Sequence, residues 1–353
     1  MGAVVNMPII VRNETKNKEL VWRSIKIKKS LEEICHTLEM ELMPSEHLKV
    51  NKHDRLTVRR KNKLFKSGWS DLITTVLVDQ KELSIDNTTH NLKIIGRSPA
   101  RDIIDSTWSN EDEDENKTLK KALQLIGDKF DISCDTFDST DPTEIVGMFA
   151  FENESPWAKL INEADNQGYI LTSNQAGGIY LWKVAKNVRI ENFYITEGVN
   201  VKSIKWIENG AEQFHTYIVK GDGIKEQATD NNCRGNRTLH ISKDNMYSND
   251  SLYKLAKREK LRRNKYEVIV NVPGWGLTNE QIKNLKPTIQ KPELFWFPNS
   301  LVPVDIPSFG LKDDLLISAV EYTATVDSIS CDITLVNKEA YYWTRIEDIS
   351  WQI

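Results

Sequence analysis

The chain has 353 residues, of which 39% are hydrophobic and 28% are charged, and its formal net charge is −4. This composition is typical of a folded protein with two or three domains, and it excludes a largely disordered chain. The slightly acidic balance disfavours a nucleic-acid-binding protein, which usually carries a basic domain or stripe. No apolar run reaches the roughly 18 residues of a membrane-spanning helix, and the N-terminal segment lacks the features of a secretion signal. We therefore expect the chain to fold in the cytoplasm without membrane insertion.

Residues 1–97 alternate apolar and polar side chains with a period of two, which predicts antiparallel strands. The inward-facing sets are Val21, Ile25 and Ile27; Leu38, Met40 and Leu42; Leu56 and Val58; and Leu92 and Ile94. Residues 73–78 add a strand that is rich in β-branched side chains, and residues 86–90 favour a turn. Five or six strands with short connections predict a first small β-barrel, because closure removes the exposed edges of an open sheet.

Helical patterns are concentrated in residues 98–184. An amphipathic helix with Thr118 as its N-cap is predicted by the apolar residues Leu119, Ala122, Leu123, Ile126 and Phe130. A second helix is predicted to begin at Pro156 after the capping residue Ser155 and to end at Gly168. The acidic run at 109–116 lacks the spacing of a calcium loop and predicts a solvated loop.

A β-hairpin is predicted to follow the second helix. Two short apolar runs, 169–172 and 179–182, are separated by a polar turn that contains Gly177 and Gly178. Both glycines could take a positive φ angle in this turn. Helices and hairpin together predict an α/β middle domain.

The period of two returns in residues 185–235 and 266–353, which predict a second β-barrel. The alternating sets are Val199, Val201 and Ser203; His215, Tyr217 and Val219; Tyr266, Val268, Val270 and Val272; and Ile329, Cys331, Ile333 and Leu335. Between them, residues 249–265 place Leu252, Leu255 and Ala256 on one face of a strongly basic helix. We assign residues 236–265 to the middle domain together with residues 98–184.

The prolines and tryptophans of the chain indicate packing more than ligand binding. Pro303 lies in the apolar segment 301–306 and predicts an edge strand or an interface arm, because proline cannot donate to a central ladder. Ten tryptophans admit a sugar-stacking interpretation, but large aromatic side chains dominate cores and permanent interfaces, and we favour that role. The basic helix could bind phosphate, but a cationic helix face more often keeps a protein soluble or meets an acidic neighbour. We favour contact with another protein chain.

No residue pattern indicates catalysis, a cofactor or a metal ion. The four cysteines, Cys35, Cys134, Cys233 and Cys331, form no Cys-x-x-Cys pair and are expected to be reduced thiols. The six histidines form no His-x-His or His-Glu-x-x-His motif. Nucleophile elbows, phosphate-binding loops and dinucleotide fingerprints are missing from the sequence. We name no catalytic, cofactor-binding or metal-binding residue, and we expect a protein that is not an enzyme.

Several segments in order resemble a known family. The helix-hairpin segment ESPWAKLINEADNQGYILTSNQAGGIYL at 154–181 carries the resemblance most clearly, and the other matching segments are 94–105, 217–221, 268–275, 294–300 and 315–322. Each is a weak structural motif, and their specificity lies in order and spacing. Together they resemble the tail baseplate hub protein of Mu-like contractile-tailed phages.

This resemblance implies a homotrimeric ring with two similar β-barrels per subunit and an α/β middle domain outside, although the sequence itself shows no repeat. Such a hub adapts a six-fold tail tube to a three-fold central spike and surrounds the path of DNA ejection. The implied partners are the spike, the tail tube and the baseplate wedge proteins, with no sequence-specific nucleic acid. The implied location is the virion tail baseplate, assembled in the host cytoplasm. The sequence assigns no residue to any of these contacts.

Three other functions stay open. The chain could be the hub-like part of a type VI secretion spike, which we disfavour because no spike domain follows the second predicted barrel. It could also be a tail-associated enzyme that degrades the cell wall, although no acidic pair among 51 acidic residues stands out. A glycan-binding protein that uses exposed tryptophans is the third alternative.

Overall fold

The computed structural model describes residues 9–60, 72–86, 90–110, 117–136, 145–146, 151–183, 193–243, 249–277 and 294–341. The strands are β1 (Ile9–Asn13), β2 (Lys18–Leu20), β3 (Trp22–Ser30), β4 (Thr37–Leu42), β5 (Arg55–Arg60), β6 (Leu72–Ile85), β7 (His90–Arg97), β8 (Trp108–Asn110), β9 (Lys117–Thr118), β10 (Cys134–Thr136), β11 (Ile145–Val146), β12 (Phe151–Glu154), β13 (Tyr169–Ser173), β14 (Ile179–Lys183), β15 (Ile195–Thr196), β16 (Ser203–Glu208), β17 (Thr216–Lys220), β18 (Lys225–Thr229), β19 (Thr238–Ser242), β20 (Tyr266–Pro273), β21 (Leu301–Ile306), β22 (Leu311–Thr325) and β23 (Ile329–Asn337). The helices are α1 (Arg101–Asp105), α2 (Leu119–Lys129), α3 (Pro156–Asn166) and α4 (Asn249–Arg263), with short 3-10 helices at Pro44–Lys49, Pro307–Phe309 and Lys338–Tyr341. Most of the predicted acidic loop lies outside the described residues.

Thirteen strands form one large sheet. Its main path runs β16-β20-β23-β22-β3-β4-β7-β6-β5-β1-β2, while β21 pairs with β22 and β15 pairs with β21. Most of the predicted alternating apolar residues are its buried side chains and form one continuous core. Val21 and Val199 are instead 55% and 67% exposed, and Tyr217 and Val219 lie in a separate sheet. The expectation of a mainly β, α+β chain is therefore confirmed.

The large sheet contains the same five-strand arrangement twice. The first five-strand unit has the order β3-β4-β7-β6-β5, and the second has the order β16-β20-β23-β22-β21. If the five strands of a unit are numbered in the order in which they follow along the chain, their order across the sheet is 1-2-5-4-3 in both units. The hairpins β6/β7 and β22/β23 also share a register shift, which follows Val78 in one and Ile317 in the other. The chain thus contains a structural repeat that its residues do not show.

A ladder between β3 and β22, called the central ladder here, joins the two units. Residues 24–30 pair antiparallel with residues 319–325. The side chains of Ile27 and Tyr322, which lie directly opposite each other, are fully buried. Lys26 and Glu321 form an ion pair of 2.9 Å on the other face. Within the described strands, no ladder closes either unit into a barrel, so the two closed barrels and their trimeric ring stay a prediction.

The part between the two units is a small α/β layer, as expected. The mixed sheet β10-β14-β13 packs against α2 and α3 through the second cluster of buried apolar side chains. Thr118 caps α2 by accepting a hydrogen bond of 3.3 Å from the backbone N–H of Lys121. Helix α3 begins at Pro156 as predicted, but Ser155 Oγ donates to the carbonyl of Ile104 at 3.3 Å instead of capping the helix.

The two glycines of the β13/β14 turn have different roles. Gly177 has a φ angle of 94°, as the turn requires, whereas Gly178 does not take a positive φ angle. A Cβ atom at Gly178 would lie 2.6 Å from the backbone oxygen of Ser133, which is too close for any side chain. The expectation for Gly178 was therefore wrong, because close contact with a neighbouring backbone, and not dihedral freedom, requires glycine there.

A second small layer is inserted between β16 and β20. The strands β18-β17-β19 form a separate sheet, and Leu252, Leu255 and Ala256 of α4 pack on it. The sequence pattern placed β17 and β18 in the second barrel and β19 with α4 in the middle domain, whereas the structure joins all four. Apolar alternation reports which face of a strand is buried and not which sheet the strand enters. The division into domains as a whole stays a prediction.

Gly178→Ala should destabilise the protein. The added methyl group would meet the Ser133 backbone, and overpacking of this kind costs about 1–3 kcal/mol in the free energy of unfolding. Thermal and denaturant melts measure the change. Gly210→Ala is the matched control, because its Cβ would meet nothing closer than Gln213 Oε1 at 3.8 Å. Equal stabilities of the two variants would contradict the close-approach explanation.

Candidate assembly surface

Burial suppresses ionisation of three of the four cysteine thiols, Cys35, Cys134 and Cys331. All four cysteines are free thiols. Burial raises the pKa of the Cys35 thiol to about 11 and that of Cys134 to about 12, so neither is a thiolate near neutral pH. Among the described residues, no group of three or more His, Cys, Asp or Glu side chains could hold a metal ion. No described helix is long and apolar enough to cross a membrane.

The basic helix α4 directs cations to acidic groups of its own chain. Arg258 is buried and forms an ion pair of 2.5 Å with Asp165, whose other neighbour is Lys243 at 3.1 Å. Burial opposes ionisation of Asp165, but the charges of Arg258 and Lys243 outweigh it and hold the pKa of this carboxyl below its usual range. The acidic partner of Arg258 thus lies in the same chain, at the C-terminal end of α3, and Arg258 is not free to bind phosphate. The expected contact of this helix with another chain stays a prediction.

The described tryptophans pack inside the protein. Trp182, Trp275 and Trp296 are buried, and none of the six tryptophans whose side chains the structure describes is exposed. Trp275 Nε1 donates a hydrogen bond of 3.0 Å to the carbonyl of Thr323 in β22. The preference for a packing role is confirmed for these residues, which weakens the glycan-binding alternative.

A polar cleft of about 400 Å³ separates the first unit from the middle layer. Lys29, His36 and Thr172 line it together with aromatic side chains of β14 and Phe297. His36 Nδ1 lies 3.2 Å from Thr74 Oγ1, and burial together with the charge of Lys29 holds the pKa of His36 well below its usual value. His36, directly before β4, and Thr74 in β6 both belong to the first unit, so this neutral imidazole stabilises one wall of the cleft.

The large sheet presents two open strand edges, and these form the candidate assembly surface. The β16 edge, residues 203–208, belongs to a strand that pairs only with β20 among the described strands. The β6 edge, residues 79–85, lies beyond the end of β5 and pairs only with β7 within the same described part. Open edges expose unpaired N–H and C=O groups, which proteins either protect or use to bind another strand. The strand at the far end of the sheet, β2, has three residues and is a poor template.

Both edges carry exposed or half-buried apolar side chains. On the β6 edge, Leu83 is 42% exposed and Ile85 is 64% exposed. On the β16 edge, the ring of Trp206 stacks on Tyr266 at 4.7 Å and meets Phe309 edge-on at 5.6 Å. Sequence patterns could not identify this surface, because Leu83 and Ile85 continue the same alternation that marks buried strands elsewhere.

Comparison with known proteins gives matches only among solved structures: no protein-family model and no curated protein sequence matches the chain. The 43 kDa tail protein of prophage MuSo2 from Shewanella oneidensis is similar over 94% of this chain and 98% of its own, with a TM-score of 0.73 and 21% identity. The tail protein from Neisseria meningitidis MC58 is similar over 95% and 98% of the two chains, with a TM-score of 0.74 and 12% identity.

The fold extends to secretion systems. The E. coli c3393 protein, a component of the type VI secretion system, has a TM-score of 0.56 and 7% identity over 95% of this chain and 78% of its own. The resemblance in the sequence is therefore confirmed at the level of fold: this chain has the fold of prophage tail proteins.

Asp165→Asn should lower the free energy of unfolding by about 2–3 kcal/mol at neutral pH, because buried Arg258 then loses its ion pair with the Asp165 carboxylate. A carboxyl with a lowered pKa stabilises the fold above its unfolded-state pKa, and this contribution is lost as the pH falls through its folded-state pKa. The difference in the free energy of unfolding between wild type and variant should therefore decrease below about pH 4.

Denaturant melts between pH 3 and pH 7 measure this gap. Asp135→Asn is the control, since Asp135 is 67% exposed and its nearest cation, Lys120, is 4.0 Å away. A gap that stays constant over this pH range would show that the Asp165 ion pair does not stabilise the fold.

Proposed function

We propose that this chain is the structural hub of a contractile phage or prophage tail baseplate and that three copies form a ring around the tail axis. The observation that carries the proposal is the repeated five-strand unit within one continuous sheet. Three copies of a chain with two equivalent units provide six similar elements in a three-fold assembly. One face of such a ring can meet a six-fold tail tube, and the other can meet a three-fold spike.

The fold comparisons support a tail component. The two prophage tail proteins match this chain over nearly the whole length of both partners. Their descriptions concern tail structure, and the proposed role needs no catalytic group, cofactor or metal ion. The partners in this proposal are two further copies, the central spike, the tail tube and the baseplate wedge proteins, and the location is the virion tail.

The ring would also surround the path along which DNA leaves the tail. Passage of DNA requires weak attraction, because a strongly basic lining would retain the duplex. The net charge of −4 and the pairing of Arg258 with Asp165 inside the chain agree with this requirement.

A hub-like part of a type VI secretion spike is the second candidate, because the c3393 protein shares the fold. Induction of prophages in the natural host, followed by mass spectrometry of purified tails, separates the two. Recovery of the chain in tail particles supports the phage hub, and recovery only with secretion components supports the alternative.

Light scattering of the purified protein tests the assembly. We expect a particle of about 120 kDa, three times the chain mass of 40.6 kDa, and a ring with a central hole in electron micrographs. Each contact between copies should bury at least about 2,000 Å², as obligate interfaces do. A stable monomer at micromolar concentration would contradict the proposal.

A further inference from the structure

We propose that the β6 edge of one copy pairs with the β16 edge of a second copy, antiparallel and in one defined register. The register places Ile85 opposite Ile204, Leu83 opposite Trp206 and Lys81 opposite Glu208. The inference deepens the proposed ring, since it names the two surfaces and the residues through which copies meet.

The internal repeat supplies the template for this contact. In the second unit, the part of β22 beyond its partner β21 is covered by β3 in the central ladder. The equivalent of β22 in the first unit is β6, and the part of β6 beyond its partner β5 has no described strand on that side. The equivalent of β3 is β16, whose outer side is likewise open. Within the described part of the chain, the contact that joins β22 to β3 in the middle of the large sheet is therefore not made by the equivalent strands, β6 and β16.

Matching rows of paired residues fix which positions are equivalent. In the first unit, one row across the sheet is Ser24, Glu41, Lys93 and Glu82. In the second unit, the matching row is Ser203, Asn271, Asp332 and Glu321. The shared register shift in the hairpins agrees with this alignment. The extra, unpaired residue is Asp79 in β6 and Ser318 in β22, and each lies three residues before the glutamate of its row.

The register follows by transfer from the central ladder. There, Ala324 pairs with Ile25 and Tyr322 pairs with Ile27. Replacing each residue by its equivalent pairs Ile85 with Ile204 and Leu83 with Trp206. This register depends only on backbone pairing, so the chemistry of the resulting side-chain pairs is an independent check.

The chemistry agrees with the transferred register. The exposed side chains of Leu83 and Ile85 would lie opposite Trp206 and Ile204, which are themselves only partly buried. The next pair on the same face would place Lys81 opposite Glu208, but the Lys81 ammonium already donates to the carbonyls of His47 and Val50, so the two apolar pairs carry the chemical argument. A shift by one residue would turn the apolar side chains of one strand to the opposite face from those of the other, so one face specifies the register.

The geometry of the edges favours a closed ring. The β6 edge and the β16 edge lie at the two ends of the eight-strand run β16-β20-β23-β22-β3-β4-β7-β6. Each copy therefore offers one edge of each kind, and contact between unlike edges is head-to-tail. When such a ring closes, no copy keeps either edge open, which also removes a site of aggregation.

Disulfide trapping tests the register directly. Directly opposite residues in antiparallel strands are close enough for a disulfide bond, so Ile85→Cys combined with Ile204→Cys should give covalent dimers and trimers on non-reducing gels. The single variants measure the background from native cysteines. Ser84→Cys combined with Ile204→Cys is the misregistered control, because its two thiols would face opposite sides of the sheet.

Leu83→Lys tests the energetic role of the edge. We expect the concentration at which trimers dissociate to rise by at least about tenfold, because a lysine would face the Trp206 ring within an apolar contact. Ile161→Lys is the control, since Ile161 is 45% exposed on α3 and lies on neither edge. Circular dichroism melts should confirm that both variants are folded, so that a change in assembly is not caused by unfolding.

The outcomes separate the inference from the proposed function. A trimer that shows no cross-link above background and is insensitive to Leu83→Lys would overturn the edge pairing while the hub proposal stands. A monomer in every variant and in wild type would overturn both. Cross-linking in the misregistered pair as strong as in the predicted pair would overturn the register.

Discussion

The central ladder between β3 and β22 is the contact on which the rest of the structure depends. It joins residues that are almost the whole chain apart, and it merges the two five-strand units into one sheet with one core. Tyr322 shows how closely the parts are connected: its hydroxyl donates to the carbonyl of Trp296, and its ring packs against Trp275 at 5.4 Å. Without this ladder, each unit would expose a long strand edge to solvent.

The two inserted layers leave the large sheet intact because they enter at connections between its strands. The middle layer lies between the units, and the layer with α4 lies between β16 and β20. A buried polar contact attaches the middle layer to the first unit, namely the hydrogen bond of 2.8 Å between Ser98 Oγ and Ser173 Oγ. The repeat is therefore preserved at the level of strand order, although the two units differ in sequence and in what is inserted between their strands.

Local features of the fold could be predicted from the sequence. The cap at Thr118, the proline that begins α3 and the apolar face of α4 were visible because each depends on residues within a few positions of one another. The prolines around β21 predicted an edge strand, whereas β21 pairs with β22 on one side and with the two-residue strand β15 on the other, where Pro303 itself has no ladder partner. The order and spacing of weak motifs then indicated the fold of tail proteins.

Features that depend on distant pairing could not be predicted. The alternation in β3 is the same whether its partner is β22 or solvent, and the assignment of β17 and β18 to a separate sheet has no local signal. The requirement for glycine at Gly178 comes from the Ser133 backbone across the layer, and the partner of Arg258 lies 93 positions away at Asp165. The candidate assembly surface was equally hidden, because exposure of Leu83 and Ile85 follows from the length of β5 and not from their own sequence.

The long separation between the strands of the central ladder has a consequence for biosynthesis. Strand β3 leaves the ribosome long before β22, so a nascent first unit waits with its β3 side uncovered. Because β3 is equivalent to β16, that uncovered side presents to the β6 strand of a finished neighbour the same type of edge as its proper partner. Under the proposed edge pairing, chains interrupted before β22 would be able to add to growing rings and block their closure, whereas a chain that includes β22 covers its own β3 and loses this ability.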